Sequence, residues 1–338
     1  MADDLILDWR NKRIAVTHHN DGDGICSAAI FALTLKKFGN FPVMIHSPER
    51  VDFDDETRAM IKDSGAEFLA ILDIPIERLT NPNFPCLVID HHPHTEKIEI
   101  SGTVIHNPKN CASFLTYEFC SKITDIKDLA WIAAIGCLSD KDEDGFEKIF
   151  KIVSEENKDL DRKTLHNMMG FISSSKVLGS AGIACGVNSL IEAATMGIET
   201  SVLGSTPNSQ KLQQLRTMSR RERDYWLLYH KDFAKIWDKM VFYKIDSDLP
   251  VQSYLAGTLS NFYPDKVCFV TNKNYANKFM TIEARTKLNS VNLGQLMRHT
   301  AEMFGGNGGG LEYAAGAKIP VEKENEFIEQ LKEHLKGV

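Results

Sequence analysis

The stretch Ile14-Ala-Val-Thr-His-His-Asn-Asp-Gly-Asp-Gly24 decides the fold, because it joins a short apolar run to a polar turn that contains two glycines. The apolar run has the length of a buried parallel strand, predicted over 13–17. Residues 24–38, which follow the turn, have a helical pattern. A strand, a tight turn and a helix in this order begin a βαβ unit. In open α/β sheets, ligands bind where such strands end.

The same alternation continues over the first 170 residues or so, where further apolar runs and helical patterns follow one another. Strands are predicted over 43–47, 68–73, 86–90 and 103–106. Helices are predicted over 54–63, 113–122 and 129–138, and residues from about 145 to 240 are mostly helical. Strands that alternate with helices indicate a parallel sheet with right-handed crossovers. The N-terminal part is therefore predicted to be a parallel α/β domain.

The pattern changes near residue 240, where a second and smaller α/β domain is predicted. Its strands are expected over 241–245, 267–271, 279–285 and 312–318, and its helices over 252–261, 291–303 and from 321. A glycine-rich loop is expected over 305–310. We predict a first domain over 1–190, a helical linker over 191–240 and a second domain over 241–338. The charged helix around Arg216 to Lys235 is interpreted as a solvated connection rather than a nucleic-acid contact.

The composition excludes disordered, collagenous and coiled-coil proteins. Hydrophobic residues make up 43% of the 338 residues and charged residues 25%, which is ordinary for a globular chain. The longest apolar run, 129–138, is far shorter than the ~20 residues of a membrane helix. Seven scattered cysteines without a Cys-x-x-Cys pair indicate neither a zinc site nor disulfides. We expect a cytoplasmic protein without a membrane partner. A net charge of −7 argues against a grip on long duplex DNA.

Three potential metal ligands, His19, Asp21 and Asp23, stand at alternate positions where the first strand ends. Carboxylates mixed with imidazole suit Mn²⁺, Fe²⁺ or Mg²⁺ better than structural zinc. Taken alone, the segment is also compatible with a calcium loop, or with a helix whose N-cap is Asp23. The local pattern leaves these alternatives open.

Two more strands end in ionisable residues and favour the metal site. Asp73 follows the predicted strand at 68–73, and Asp90, His91 and His92 follow the run 85–89. Asp140 ends the apolar helix at 129–138, where a carboxylate is electrostatically unfavourable without a nearby cation. A turn residue or a satisfied polar cluster would account for each feature singly. Buried ionisable groups are costly unless they coordinate or pair, so their collection at one sheet edge indicates a metal centre.

These motifs resemble the DHH phosphoesterases, which are named for the triad found here as Asp90-His91-His92. The first motif matches His19, Asp21, Asp23 and Gly24, and Asp73 and Asp140 match the second and fourth. The C-terminal half resembles the DHH-associated domain through Glu283-Ala-Arg285 and Gly308-Gly-Gly-Leu-Glu-Tyr-Ala-Ala-Gly316. In size and layout the chain is most similar to NrnA-type oligoribonucleases and short RecJ-like exonucleases.

The resemblance implies two divalent metal ions, expected to be Mn²⁺, in a cleft between the two domains. His19, Asp21 and Asp73 would hold one ion, and Asp23, Asp73, His91 and Asp140 the other. His92 would contact a phosphate oxygen, and Asp90 would orient its neighbours. Substrate phosphate would be held by Arg285, whose guanidinium suits bidentate contacts. The backbone N–H groups of Gly308, Gly309 and Gly310 would also approach phosphate oxygens.

One position departs from the family pattern. The family has a histidine that contacts the terminal nucleotide where this chain has Leu311. An apolar side chain cannot donate to phosphate, so the departure concerns substrate preference and leaves the metal ligands untouched. Taken without the resemblance, Arg285 is also compatible with an ordinary surface residue on a strand.

The resemblance implies a phosphodiesterase that releases 5′-mononucleotides from short RNA or DNA oligonucleotides, or from linear dinucleotides such as pGpG or pApA. The alternatives are a RecJ-like single-strand exonuclease, a cyclic-dinucleotide phosphodiesterase and an inactive Cdc45-like scaffold. A scaffold is expected to lose metal ligands, and all six are present. Long-chain exonucleases of the family usually add an oligonucleotide-binding domain, for which 338 residues leave no room. A homodimer is compatible with these features.

Overall fold

The computed structural model describes residues 9, 11–48, 55–79, 84–93, 100, 102–197, 204–272 and 279–336. The chain divides into two compact units. Unit 1 is Met1–Arg216 and unit 2 is Thr217–Val338. Each unit has its own sheet and its own hydrophobic core.

The sheet of unit 1 is entirely parallel over the described residues, with the strand order β2-β1-β3-β4-β5. Its strands are β1 (Ile14–His18), β2 (Met44–His46), β3 (Phe68–Leu72), β4 (Cys86–Asp90) and β5 (Gly102–His106). Strands β1, β3 and β4 are buried along their whole length, because helices cover both faces of a parallel sheet. This confirms the parallel α/β domain that the apolar runs predict.

Helices pack on both faces of this sheet because successive residues of a strand point to opposite sides. Val16, Leu72 and Ile89 belong to the larger core, and Ala15, Ile71 and Val88 belong to the smaller one. The described helices of unit 1 are α1 (Gly22–Lys37), α2 (Asp55–Asp63), α3 (Ala112–Ser121), α4 (Ala130–Asp140), α5 (Glu143–Glu156), α6 (Arg162–Ser173) and α7 (Gly179–Met196).

Helix α1 is the most deeply buried helix element in this core, with every residue from Gly22 to Leu35 buried. Two glycines allow its first turn to lie close to its neighbours. A Cβ on Gly22 would lie 2.3 Å from the Ser139 Oγ, and one on Gly24 would lie 2.4 Å from the His19 carbonyl oxygen. Larger residues would therefore displace the turn that carries Asp21 and Asp23.

Unit 2 contains a mixed sheet with the strand order β10-β11-β9-β8-β7-β6 over the described residues. The strands are β6 (Lys235–Ile236), β7 (Met240–Ile245), β8 (Val267–Asn272), β9 (Phe279–Thr286), β10 (Asn307–Gly310) and β11 (Ala314–Pro320). The helices are α8 (Pro207–Leu228), which begins in unit 1, α9 (His230–Phe233), α10 (Gln252–Phe262), α11 (Leu293–Met303) and α12 (Glu324–Leu335). The second α/β domain is confirmed.

Two local predictions in this region are wrong. The glycine-rich stretch expected as a loop ends in strand β10, which pairs antiparallel with β11. The tight turn is instead Leu311–Tyr313, so β11 begins two residues later than predicted. The charged helix around Arg216 ends at Leu228, and Lys231 and Lys235 lie in α9 and β6. Backbone pairing with a neighbouring strand overrides the low strand propensity of glycine.

One segment of the described chain, Arg162–Met196, is long and apolar enough to cross a membrane by length and composition alone. It comprises α6, a short 3₁₀ turn and α7 rather than one continuous helix. Of its most apolar stretch, 56% is buried inside the protein. Core helices of globular proteins have this character.

Candidate metal centre

The predicted site residues of unit 1 meet where three parallel strands end. The His19 N–H donates to the Leu72 carbonyl (3.1 Å), and the Asp73 N–H donates to the Ile89 carbonyl (2.8 Å). These bonds place the residues after β1, β3 and β4 side by side. Asp73 has a φ of 61°, a left-handed conformation that is uncommon for a residue other than glycine and occurs at functional sites.

A first set of ligand atoms comes from His19, Asp21 and Asp73. The His19 Nδ1 lies 2.6 Å from the Asp21 Oδ2 and 3.5 Å from the Asp73 Oδ2. Asp21 is the N-cap of α1, and its Oδ1 accepts from the Gly24 N–H (3.2 Å). Capping thus fixes the Asp21 carboxylate beside His19.

A second set comes from Asp23, His91 and Asp140, with Asp73 within reach of both sets. The His91 Nε2 lies 3.3 Å from the Asp73 Oδ1, 3.6 Å from the Asp140 Oδ2 and 3.9 Å from the Asp23 Oδ2. Asp23 and Asp73 are each only 1% exposed. Two carboxylates buried this deeply need compensating positive charge.

Asp23 does not cap α1, so this alternative interpretation of the sequence is wrong. Its carboxylate accepts instead from the first N–H groups of α3, those of Ala112 (2.7 Å) and Ser113 (2.9 Å). The N-terminal end of a helix favours an anion because its N–H groups are free and its dipole is positive. Gly136 permits the approach of α4, because a Cβ there would lie 3.0 Å from the Asp23 Oδ1.

Asp90 and His92 form a separate hydrogen-bonded pair behind the ligand atoms. The Asp90 Oδ1 accepts from the His92 Nδ1 (2.8 Å) and from the His92 N–H (3.2 Å). Its Oδ2 accepts from the Ile76 N–H (3.2 Å). His106, at the end of β5, donates through Nε2 to the His92 carbonyl (2.9 Å). These contacts hold the His92 ring in one orientation.

The carboxylates and burial together perturb the ionisation of the cluster. Burial lowers the pKa of both His19 and His91, but the neighbouring carboxylates outweigh it and raise each pKa to about 9. For Asp23, burial and the charge of Asp73 raise the pKa well above its usual range. Burial also raises the pKa of Asp140. Like charges held together in a dry site shift pKa values in this way.

The donor set fits divalent cations. Among the described residues, the buried Asp73 Oδ1 has no well-aligned hydrogen-bond donor, with the His91 Nε2 3.3 Å away, and such a buried acceptor is costly to leave unmatched. Ligand atoms lie within 4.8 Å of one another in His19, Asp21 and Asp73, in Asp23, His91 and Asp140, and in Asp73, His91 and His92. Imidazole nitrogens with carboxylate oxygens are a donor set for Mn²⁺, Fe²⁺ or Mg²⁺.

A cavity of about 420 Å³ adjoins the second set of ligand atoms. His91 and Asp140 line it, together with Asn110, Lys109 and Lys141. Lys141 follows Asp140 directly and has a φ of 62°. The cavity gives the cluster access to a solute of small-molecule size.

Unit 2 contains the residues predicted to bind substrate. On β9, the Arg285 Nη1 lies 3.2 Å from the Glu283 Oε2 and donates to the Ala284 carbonyl (2.8 Å). Its Nη2 donates to the Ser253 Oγ (2.7 Å). Gly308, Gly309 and Gly310 lie in β10, two strands away in the same sheet. Leu311 follows them and is 58% exposed.

Sequence reasoning missed residues that support the cluster. The Ala112 and Ser113 amides hold Asp23 from 89 and 90 positions away, and no local pattern announces them. His18 is buried and donates through Nδ1 to the His19 carbonyl (2.7 Å). Burial lowers the pKa of His18 to about 4. From the sequence, its position before His19 is compatible with a supporting residue or with a surface residue, and the structure shows that it is buried.

A buried pair of thiols was also missed. The Cys111 and Cys137 Sγ atoms lie 3.5 Å apart, near the Asp142 carboxylate. That carboxylate already accepts from the Cys111 N–H (2.9 Å) and the Gly145 N–H (2.8 Å), which accounts for its position as a helix cap.

Two protein-family models match the chain. The model described as the DHH family, N-terminal domain, matches residues 13–137. The model described as the DHHA1 domain matches residues 239–337. The first range contains all the predicted ligands except Asp140, and the second contains Arg285 and the glycine stretch. A comparison with curated protein sequences gives no match.

Solved structures share the fold at low sequence identity. Exonuclease RecJ bound to manganese is 16% identical, with a TM-score of 0.70 over 99% of this chain and 93% of that one. RecJ from Thermus thermophilus in complex with Mn²⁺ is 16% identical, with a TM-score of 0.64 over 100% of this chain and 54% of that one. CDC45 from Entamoeba histolytica is 12% identical, with a TM-score of 0.55 over 99% and 98% of the two chains.

Proposed function

The chain belongs to the DHH phosphoesterase family, and on that premise we propose that it is a metal-dependent phosphodiesterase that hydrolyses short oligonucleotides or linear dinucleotides to 5′-mononucleotides. The observation that carries the proposal is the convergence of five ligand side chains on the buried Asp73 carboxylate, whose Oδ1 has no well-aligned hydrogen-bond donor. A hydrogen-bonded polar cluster would satisfy this oxygen, whereas a cation-binding site leaves it for the ion.

We assign the ligands to two ions. His19, Asp21 and Asp73 would hold one, and Asp23, Asp73, His91 and Asp140 the other, with Asp73 shared. When bound, such ions supply Lewis-acid chemistry, since they lower the pKa of an attacking water and neutralise charge on the phosphate. Mn²⁺ is the proposed ion, supported by the donor types and by RecJ structures that contain Mn²⁺ or Mg²⁺.

His92 is proposed to hold a phosphate oxygen of the substrate. Its Nδ1 donates to Asp90, so Nε2 is the ring nitrogen left for the substrate. Asp90 is fully buried, and its hydrogen bond with the His92 Nδ1 fixes the direction in which Nε2 points. Asp90 therefore acts on the reaction through the orientation of His92.

Unit 2 is proposed to recognise the substrate phosphate or terminal nucleotide through Arg285. Glu283 and Ser253 hold its guanidinium in one orientation, which reduces the conformational entropy lost on binding. The glycines of β10 lack side chains that would keep a phosphate from the backbone. Leu311 supplies an exposed apolar contact at the position where the family has histidine.

A second candidate, a single-strand exonuclease, is supported by the likeness of the fold to exonuclease RecJ over nearly the whole chain. Short substrates remain the preferred proposal because net charge −7 is unfavourable for a long phosphate backbone. A CDC45-like scaffold, which shares the fold, would not require six ligand side chains, the buried Asp73 among them, at one edge of the sheet.

The test is a comparison of substrate lengths with the purified full chain and Mn²⁺, against a sample with chelator. The substrates are pGpG, pApA, a pentanucleotide, a single-stranded RNA of about two dozen nucleotides and cyclic di-AMP, with products separated by chromatography. We expect mononucleotides fastest from the dinucleotides, and only with metal. Faster loss of the long RNA would favour the exonuclease, and turnover of cyclic di-AMP would favour a cyclic-dinucleotide phosphodiesterase. If no substrate gives a metal-dependent product, the proposal that this chain is a phosphodiesterase is refuted.

A further inference from the structure

A second cavity in unit 1 lies where strands β1 and β2 end. It has a volume of about 210 Å³ and is lined by His18 and His46, the last residues of these strands, and by Ser47 and helix α7. None of the six proposed metal ligands lines it. It adjoins them in the chain, because His18 immediately precedes His19.

One face of helix α7 forms the opposite wall. Ser180, Ala184 and Asn188 line the cavity at intervals of four residues, and Ile183 and Val187 lie beside them, as expected for residues that share a helix face. Ser180, Ala184 and Asn188 are exposed, so the cavity opens to solvent along this stripe. The small side chains of Ser180 and Ala184 leave the space that larger residues would fill.

The polar groups of the cavity are hydroxyl, amide and imidazole groups. The Ser47 Oγ is buried and has no partner among the described residues, which is costly for a hydroxyl group unless a ligand supplies one. His18 donates through Nδ1 to the His19 carbonyl, which leaves Nε2 as the ring nitrogen available to a ligand. The lining contains no lysine, arginine, aspartate or glutamate among the described residues.

We propose that this cavity binds one nucleobase of the substrate, an inference that rests on the proposed function. Apolar walls from Ile45, Ile183 and Val187 with a few neutral donors and acceptors suit a planar, uncharged heterocycle. A phosphate would require a cationic side chain. Pockets for drug-sized ligands measure about 300–1,000 Å³, so a smaller cavity suits a single ring system. The proposal requires that the phosphodiester of the bound nucleotide reach the proposed ligands from the cavity wall formed by His18, the residue before His19.

The test uses the substitution Ala184→Phe, which fills the mouth of the cavity from an exposed position and so spares the core. Met196→Phe, at the exposed end of the same helix, is the matched control. The substrates are pApA and its two analogues in which one base is replaced by hydrogen. We expect Ala184→Phe to raise KM for pApA about tenfold, the order associated with loss of one base contact, with kcat nearly unchanged.

The analogues identify the contact. For the analogue that lacks the bound base, Ala184→Phe and the unsubstituted protein should have equal KM values, because the filled space is no longer used. An equal increase of KM for all three substrates would overturn the proposal, and so would an unchanged KM for pApA. Met196→Phe should leave every KM unchanged.

Ser47→Ala separates ligand binding from structural support. Removing an unmatched buried hydroxyl should leave Tm unchanged or raise it, whereas KM for pApA should rise several-fold. A lower Tm with unchanged KM would show that Ser47 supports only the fold.

Binding of free nucleosides keeps the inference distinct from the proposed function. Adenosine, guanosine, cytidine and uridine are titrated into the metal-depleted full chain and followed by NMR line broadening of the ligand. Binding of at least one nucleoside that Ala184→Phe abolishes would support the cavity even if no dinucleotide were hydrolysed. Hydrolysis of pApA without any such binding, and without an effect of Ala184→Phe, would overturn the cavity and leave the proposed function standing.

Discussion

Buried acidic side chains have different charge partners at the carboxyl edge of the unit 1 sheet and at the Glu283–Arg285 pair of unit 2. Glu283 lies beside the guanidinium of Arg285, so its charge is matched within the unit. Asp23 and Asp73 are more deeply buried, and among the described residues their ion-pair partners are histidines alone. Arginine keeps its proton, so Glu283 needs no further cation, whereas the histidines beside Asp23 and Asp73 can lose theirs and leave these carboxylates to a metal ion. We therefore propose that the first region binds metal and that the second positions the Arg285 side chain.

The largest effect is expected from Asp73→Ala, which removes the carboxylate shared by both sets of ligands. Loss of several kcal/mol of transition-state stabilisation corresponds to a rate about 10³-fold lower, measured on pApA with Mn²⁺. Asp63→Ala, at an exposed site on α2, is the control and should be fully active. A folded Asp73→Ala protein that retains a tenth of the activity would contradict the assignment of Asp73 to both sets of ligands.

Mn²⁺ should stabilise unit 1 and not unit 2. At a concentration 100-fold above Kd, one ion contributes about 2.7 kcal/mol, or roughly 5–10 °C in Tm for a unit of this size. Calorimetry measures the shift, and hydrogen exchange locates it. Peptides with Asp21, Asp23 and Asp73 should gain protection, and peptides from β9 should not. Asp73→Asn should abolish the Tm shift and Glu283→Gln should keep it. Equal protection of peptides from both units would contradict metal binding by unit 1 alone.

The pH dependence follows from the raised pKa values of His19 and His91, both about 9 in the metal-free protein. Their protonated forms stabilise the metal-free fold below the unfolded pKa of about 6.5, and this contribution is lost as pH rises through 9. Metal binding requires the neutral rings, so Mn²⁺ affinity should increase from pH 6 to about 9. Titration calorimetry in two buffers of different ionisation enthalpy should detect proton release on binding. Affinity that is constant over this range would remove both histidines from the ligand set.

A smaller effect is expected from Arg285→Ala, which tests the second region. Loss of a charged hydrogen bond of about 1.5–3 kcal/mol should raise KM for pApA roughly 10- to 100-fold, while the Mn²⁺ dependence stays unchanged. Arg285→Lys should recover only part of the loss, because lysine lacks the bidentate geometry. An altered Mn²⁺ dependence in Arg285→Ala would show that the two regions are not separate in function.

The strands that carry the site could be predicted because each is an apolar run followed at once by ionisable residues. Parallel pairing then requires these residues to share one edge, as the register of β1, β3 and β4 demonstrates. Asp21 and Asp23 show the limit of this reasoning. Either is an acceptable N-cap, and the choice depends on packing of Gly22 against Ser139 and of Asp23 against α3, contacts that are distant in sequence.

Other features depended on tertiary contacts without a local pattern. The glycines before Leu311 have the composition of a loop, and they extend as β10 because β11 supplies their hydrogen bonds. The cavity between β1, β2 and α7 involves residues about 140 positions apart, and its defining property is the small size of Ser180 and Ala184. A single sequence does not show that small side chains leave a cavity, because the residues that face them are known only from the fold.

The number of Mn²⁺ ions bound to the metal-depleted full chain tests the central claim most directly. Equilibrium dialysis with metal analysis, near neutral pH, should give two ions per chain. Asp73→Ala should bind none tightly, and Asp21→Ala should keep one, because Asp21 belongs only to the first set. Tight binding of two ions that persists in Asp73→Ala, or no tight binding to the unsubstituted chain, would contradict a metal centre at the carboxyl edge of the sheet.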